Sequence, residues 1–177
     1  NLITGAGGVF NVGTGTTILT NPNSDMLQST VGANNGTLIL NAAGFPSQML
    51  VNATGVLRVA TDNYSSFLTN VSINSNNADT GALELSNGVT NPFAGQAVNF
   101  AGRNNATTGI RSTNGSNTLP GSVVLNTGGS EYRIEAAAGG TFNVTANIAG
   151  NGTLAAGARN LTFAGAGAGT MSGAISD

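Results

Sequence analysis

Lysine, histidine, cysteine and tryptophan are all missing from these 177 residues, and each absence closes a line of chemistry. Without histidine or cysteine no Ser-His-Asp or Cys-His nucleophile can be assembled, and a zinc site loses its usual ligands. Disulfides are excluded too, although that alone leaves the compartment open. Without lysine there is no Schiff base and no P-loop. The basic residues are Arg58, Arg103, Arg111, Arg133 and Arg159. Charged residues make up 7% of the chain, against roughly 25% in an ordinary globular protein. The net charge of -2 is too dilute to steer the chain to nucleic acid or to an anionic membrane. No run of about 20 apolar residues exists, so no helical membrane span is expected. Disorder is not expected either, because 40% of the residues are hydrophobic while charge is scarce.

What is present is glycine, asparagine, threonine and short apolar pairs. The 27 glycines fall too close together for stable helices. One unit recurs, Gly-x-apolar-x-apolar, starting at Gly8 (Phe10, Val12), Gly36 (Leu38, Leu40), Gly55 (Leu57, Val59), Gly81 (Leu83, Leu85), Gly121 (Val123, Leu125) and Gly140 (Phe142, Val144). Weaker copies start at Gly152 and Gly169, and Val98 with Phe100 adds a pair in the widest gap. Side chains alternate along a strand, so each apolar pair lies on one face, and the leading glycine supplies the turn. Phe67, Thr69, Val71 and Ile73 read as one longer strand, whereas 75–79 and 102–116 read as polar corner loops. Asn-Gly at 35–36, 87–88, 114–115 and 151–152 marks tight turns.

The spacing carries the architecture. Gly36 and Gly55 stand as far apart as Gly121 and Gly140, and a loose repeat of roughly 20 residues is a solenoid signature. The expected fold is all-β: one parallel β-helix (β-solenoid) over residues 1–177, with about 20 residues per rung and about nine rungs. At about 4.8 Å per rung it would be about 40 Å long, with asparagines stacking into hydrogen-bonded ladders.

The segments 148–154 (IAGNGTL), 160–176 (NLTFAGAGAGTMSGAIS) and 36–44 (GTLILNAAG) resemble the autotransporter-associated β-strand repeats of large bacterial surface proteins. The resemblance covers the last forty or so residues well and residues 1 to 60 loosely. It implies a right-handed parallel β-helix, export to the cell surface and no catalytic residues.

Candidate chemistry is sparse. The best carboxylate cluster, Glu131-Tyr-Arg-Ile-Glu135, sets Glu131, Arg133 and Glu135 on one strand face. Two glutamates so spaced along a strand are roughly 13 Å apart, beyond the roughly 5–9.5 Å of either glycosidase geometry. The glycines at 165, 167 and 169 read as a solenoid corner, since no lysine follows to complete a phosphate cradle. Calcium would need the Gly-Gly-x-Gly-x-Asp repeat, which is missing. Thr14, Thr16, Thr17, Thr107 and Thr108 do not recur at rung spacing, which weighs against an ice-binding array. Asn-x-Ser/Thr sequons, as at Asn52, Asn70 and Asn105, follow from composition. No catalytic, cofactor or metal site is expected.

The ends run into one another as text. Gly173-Ala-Ile-Ser-Asp177 followed by Asn1-Leu-Ile-Thr-Gly5 continues the repeat, so the chain reads as a slice of a longer array or a subunit stacked end to end. The leading expectation is a structural unit of an extracellular or bacterial cell-surface fibre whose partner is itself. Leu2, Ile3, Val9 and Phe10 would lie at one end, with Met171, Ala174 and Ile175 at the other. The alternatives are an adhesin that reads surface glycans from a lateral face, and a polysaccharide-degrading β-helix enzyme.

Overall fold

The computed structural model describes residues 7–20, 30–42, 46–62, 68–75, 77–151 and 159–176. Among these residues there are eighteen strands and no helix. In chain order they are β1 (Val9–Asn11), β2 (Thr16–Leu19), β3 (Thr30–Ala33), β4 (Thr37–Leu40), β5 (Gln48–Val51), β6 (Val56–Val59), β7 (Asn70–Ile73), β8 (Ala82–Leu85) and β9 (Val98–Ala101). They continue as β10 (Ile110–Ser112), β11 (Gly115–Leu119), β12 (Ser122–Asn126), β13 (Glu131–Ala136), β14 (Gly140–Val144), β15 (Asn147–Gly150), β16 (Asn160–Ala164), β17 (Ala168–Met171) and β18 (Ile175–Ser176). The first sheet is ordered β1-β3-β5-β7-β9-β12-β15-β18, the second β2-β4-β6-β8-β10-β13-β16, and the third β11-β14-β17. Every pairing between these strands is parallel. A chain that visits the same sheets in turn and always in parallel is a β-solenoid.

The coils are longer and fewer than the glycine spacing gives: about six turns of roughly 25 residues. One inward column of the first sheet runs Val9, Val31, Met49, Val71, Val98, Val123, Ile148 and Ile175. The chain takes its shortest step along this column from Val31 to Met49, and its longest from Val71 to Val98 and from Ile148 to Ile175. The tighter spacing holds only in the first half. Beyond Ile73 the coils lengthen, and from β11 onward each coil also carries a strand of the third sheet. That strand comes partly from the stretch 102–116, expected as polar loop but containing β10 and the start of β11. Asn117, just beyond that stretch, puts a polar residue at an inward position of β11. Its side chain is buried, yet it is satisfied by donating to Ser112 Oγ (2.8 Å) and Asn114 O (2.7 Å) while accepting from the Gly88 and Val89 amides.

The core is the stack of inward pairs. Leu38/Leu40, Leu57/Val59, Leu83/Leu85, Val98/Phe100, Val123/Leu125 and Phe142/Val144 are all buried. The first unit is the exception. Phe10 and Val12 share a face, but it is the outer one (40% and 68% exposed), while Asn11 is buried and Val9 packs on the core. Phe10 is placed there by Gly32, which leaves room for its ring on the next rung. Of the expected long strand, β7 begins only at Asn70; Val71 and Ile73 are buried, and Phe67 lies outside the described residues, as does the weak unit at Gly152. The Asn87-Gly88 corner takes two successive positive φ angles (63° and 80°), a conformation that favours this pair of residues.

Candidate assembly interface

A solenoid whose strands all pair in parallel has an unpaired strand edge at each end. Among the described residues these are β1 and β2 at the N-terminal end. Their inward residues are Val9, Asn11, Thr17 and Leu19, which pair in register with Val31, Ala33, Leu38 and Leu40. Asn11 closes part of this end by donating from Nδ2 to Gly15 O and Thr37 O, both at 2.9 Å. Among the described residues the unpaired edges at the C-terminal end belong to β16, β17 and β18. Their inward residues include Leu161, Phe163, Met171 and Ile175, in register with the buried Tyr132, Ile134, Val144 and Ile148. With no described rung above them, Phe163 is 44% and Ile175 59% exposed. A cavity of about 410 Å³ opens between the second and third sheets here, lined by Phe142, Phe163, Met171, Gly165 and Gly169 among others. None of β1, β2, β16, β17 and β18 carries a charged side chain or a proline.

Of the residues expected at the ends, Val9, Phe10, Met171, Ala174 and Ile175 do lie on the end rungs. Val9 and Ile175 face inward, Phe10 faces out, and Ala174 is exposed with its amide donating to Asn147 Oδ1 (2.9 Å). Leu2 and Ile3 lie outside the described residues. Leu19, Leu161 and Phe163 belong to the same surfaces, and a reading anchored on glycines passes over them. Aligning the strands instead brings them in.

The lateral faces carry the polar chemistry. On the outer face of the second sheet one column reads Ile18, Ile39, Arg58, Glu84, Arg111, Glu135. Glu84 has no exposed side-chain surface; it accepts from Arg58 Nε (2.6 Å) and Arg111 Nε (2.5 Å), and Arg111 Nη2 also donates to it. The sequence holds this column in the x position of successive units, Leu57-Arg58-Val59 and Leu83-Glu84-Leu85. On β13, Glu131, Arg133 and Glu135 point outward as the alternation predicts, with Arg133 and Glu135 4.0 Å apart. Beside Arg58 a groove of about 380 Å³ is lined by Ile18, Ile39, Asn41, Asn87 and Asn114 among others. Asparagine ladders run along the corners. Asn74 donates to Asn52 (3.1 Å) and Asn52 to Asn34 (2.8 Å); on the first sheet Asn151, Asn126, Asn99 and Asn70 form a second ladder.

Two groups lock the corners. Arg103 is buried and donates to the carbonyls of Ser75 (3.4 Å), Thr108 (3.0 Å) and Gly81, and to Thr107 Oγ1 (3.0 Å). Burial lowers its pKa to about 10, partly offset by the nearby Asp79 charge. The Asp62 carboxylate accepts from the Thr90 and Asn91 amides and from Thr90 Oγ1, tying adjacent rungs together. Among the described residues no group of three Asp or Glu side chains is placed to hold a metal ion. The sequence matches no protein-family model, and comparison with curated proteins and with solved structures returned no match.

Proposed function

We propose that this chain is a structural unit of an extracellular or bacterial cell-surface fibre, assembling by end-to-end stacking of its rungs. One observation carries the reading: among the described residues, both ends expose unpaired parallel strand edges that bear neither charge nor proline. Charges and prolines are the usual means by which an edge strand is kept from pairing with another chain. The apolar C-terminal rung adds a hydrophobic contribution to the backbone hydrogen bonds of strand addition. The near-absence of charge removes the repulsion that would oppose stacking. The resemblance to surface repeat proteins supports the location, and no catalytic role is proposed. Sedimentation velocity across a concentration series, with negative-stain images of the same samples, tests this. Growing rods of uniform width are expected; a single monomeric species at every concentration overturns it.

A second reading, an adhesin module, is favoured by the groove beside Arg58. It joins a half-exposed cation to a row of amides, with an aliphatic patch at Ile18 and Ile39. That mixture suits a carboxylated glycan. Glycan-array binding that is lost in Arg58→Ala would support it, and binding to no glycan would remove it.

A further inference from the structure

We infer that Asn35 is a self-modification site, where the chain converts its own side-chain amide to aspartate and isoaspartate through a cyclic imide, independently of any end-to-end stacking. Asn-Gly pairs occur at 35–36, 87–88, 114–115 and 151–152. Such a pair is chemically open, because glycine has no side chain to shield its amide nitrogen from the asparagine before it. The fold then separates the pairs by what each amide group is doing. At Asn87 the Gly88 nitrogen donates to the buried Asn117 Oδ1 (2.9 Å), and Asn87 Oδ1 accepts from Asn114 Nδ2 (3.1 Å). Asn114 Oδ1 in turn accepts from the Asn87 backbone amide (3.1 Å). Asn87 thus has its glycine nitrogen committed elsewhere, and Asn114 has both amide atoms tied to the neighbouring rung. Gly152 lies outside the described residues.

At Asn35 the arrangement is reversed. The Gly36 nitrogen donates to Asn35's own Oδ1 (2.9 Å), which brings the nucleophile up to the amide group that it must attack. The exposed Thr54 donates from Oγ1 to the same oxygen (2.9 Å). The corner ladder runs through Asn34 and Asn52 instead, and Asn35 Nδ2 donates to no acceptor among the described residues. The reaction follows from these contacts. The Gly36 nitrogen gives its proton to solvent and bonds to Asn35 Cγ, and the charge that develops on Oδ1 meets the Thr54 hydroxyl already donating there. The Cγ–Nδ2 bond then breaks, and the nitrogen takes up a proton and leaves as ammonia. Water opens the imide at either carbonyl. Cleavage at Cγ gives aspartate; cleavage at the main-chain carbonyl gives isoaspartate, with the chain running through the former side chain. No oxidant or reductant is needed, and the net change is one water consumed and one ammonia released.

The arginines make the site testable, because cleavage after them puts each pair on its own peptide. Asn35 falls in 1–58, Asn87 in 59–103, Asn114 in 112–133 and Asn151 in 134–159. The folded 177-residue chain is held in mildly alkaline buffer and digested with trypsin at intervals. Tandem mass spectrometry then scores each Asn-Gly pair for exchange of the amide for an acid, with the isoaspartate form separated by chromatography. The pair in 1–58 should gain acid roughly tenfold faster than those in 59–103 and 112–133, which must first open locally. In concentrated urea the three rates should converge. Asn35→Gln should remove the gain from 1–58 and leave the other peptides unchanged. Equal rates in the folded chain, a faster gain in 59–103 or 112–133, a difference that persists in urea, or a gain in 1–58 that survives Asn35→Gln overturns the assignment.

Discussion

Glu84 is a charge without exposed surface, and it tolerates that position because its two oxygens are shared between the guanidinium groups of Arg58 and Arg111 on the rungs either side. Both arginines are more than a third exposed, so they remain hydrated if the carboxylate is removed. Glu84→Ala should then cost about 2 kcal/mol, below the range for breaking a fully buried pair, as read from urea unfolding. Arg103 is the opposite case, a cation held mainly by backbone carbonyls. Arg103→Lys cannot reproduce the fork and should destabilise by about 2 kcal/mol despite keeping the charge. Tyr132 gives a pH signature. Its ring packs edge-on against Phe100 with centroids 5.4 Å apart, its hydroxyl donates to Asn126 O (2.6 Å), and burial raises its pKa above the ordinary value of 10.0 despite the opposing Arg159 charge. Above pH 10 the unfolded chain loses this proton first, so the native state binds more protons and stability falls as pH rises. Tyr132→Phe should abolish that component, seen as a flatter dependence of melting temperature on alkaline pH.

Elements are legible in the sequence where a local pattern decides them. The pairs in β4, β6, β8, β12 and β14 alternate so regularly that their inward faces follow from the residues alone. β1 fails the same test because Gly32 on the neighbouring rung accepts the Phe10 ring, a contact that no reading of residues 8–12 contains. β10 and β11 are hidden by polar residues whose partners lie on other rungs. Asparagine stacking can be anticipated as chemistry, but the choice of partners depends on coil lengths. These vary along the first sheet, from the short step between Val31 and Met49 to the long one between Val71 and Val98. The ladder has an energetic consequence at the scale of a corner. Asn52 both donates to Asn34 and accepts from Asn74, so Asn52→Ala should cost about 1–2 kcal/mol and Asn34→Ala about half as much. A double-mutant cycle between the two, measured by denaturant unfolding, should show positive coupling.

For the whole molecule, the candidate surfaces are only half legible. The end rungs can be recognised from sequence, but the open C-terminal mouth depends on which columns finish in glycine, and that follows from register across coils. Placing a charge there should be decisive: Phe163→Asp puts an ion against the apolar mouth and should block rod growth while leaving the monomer folded, as judged by sedimentation and circular dichroism. The lengthening of the coils along the axis has a further consequence. The early described coils carry strands of two sheets, and from β11 onward the coils add a strand of the third, so the two ends of the unit differ in cross-section. Copies stacked head to tail would therefore form a filament with polarity, with a change of cross-section at each junction.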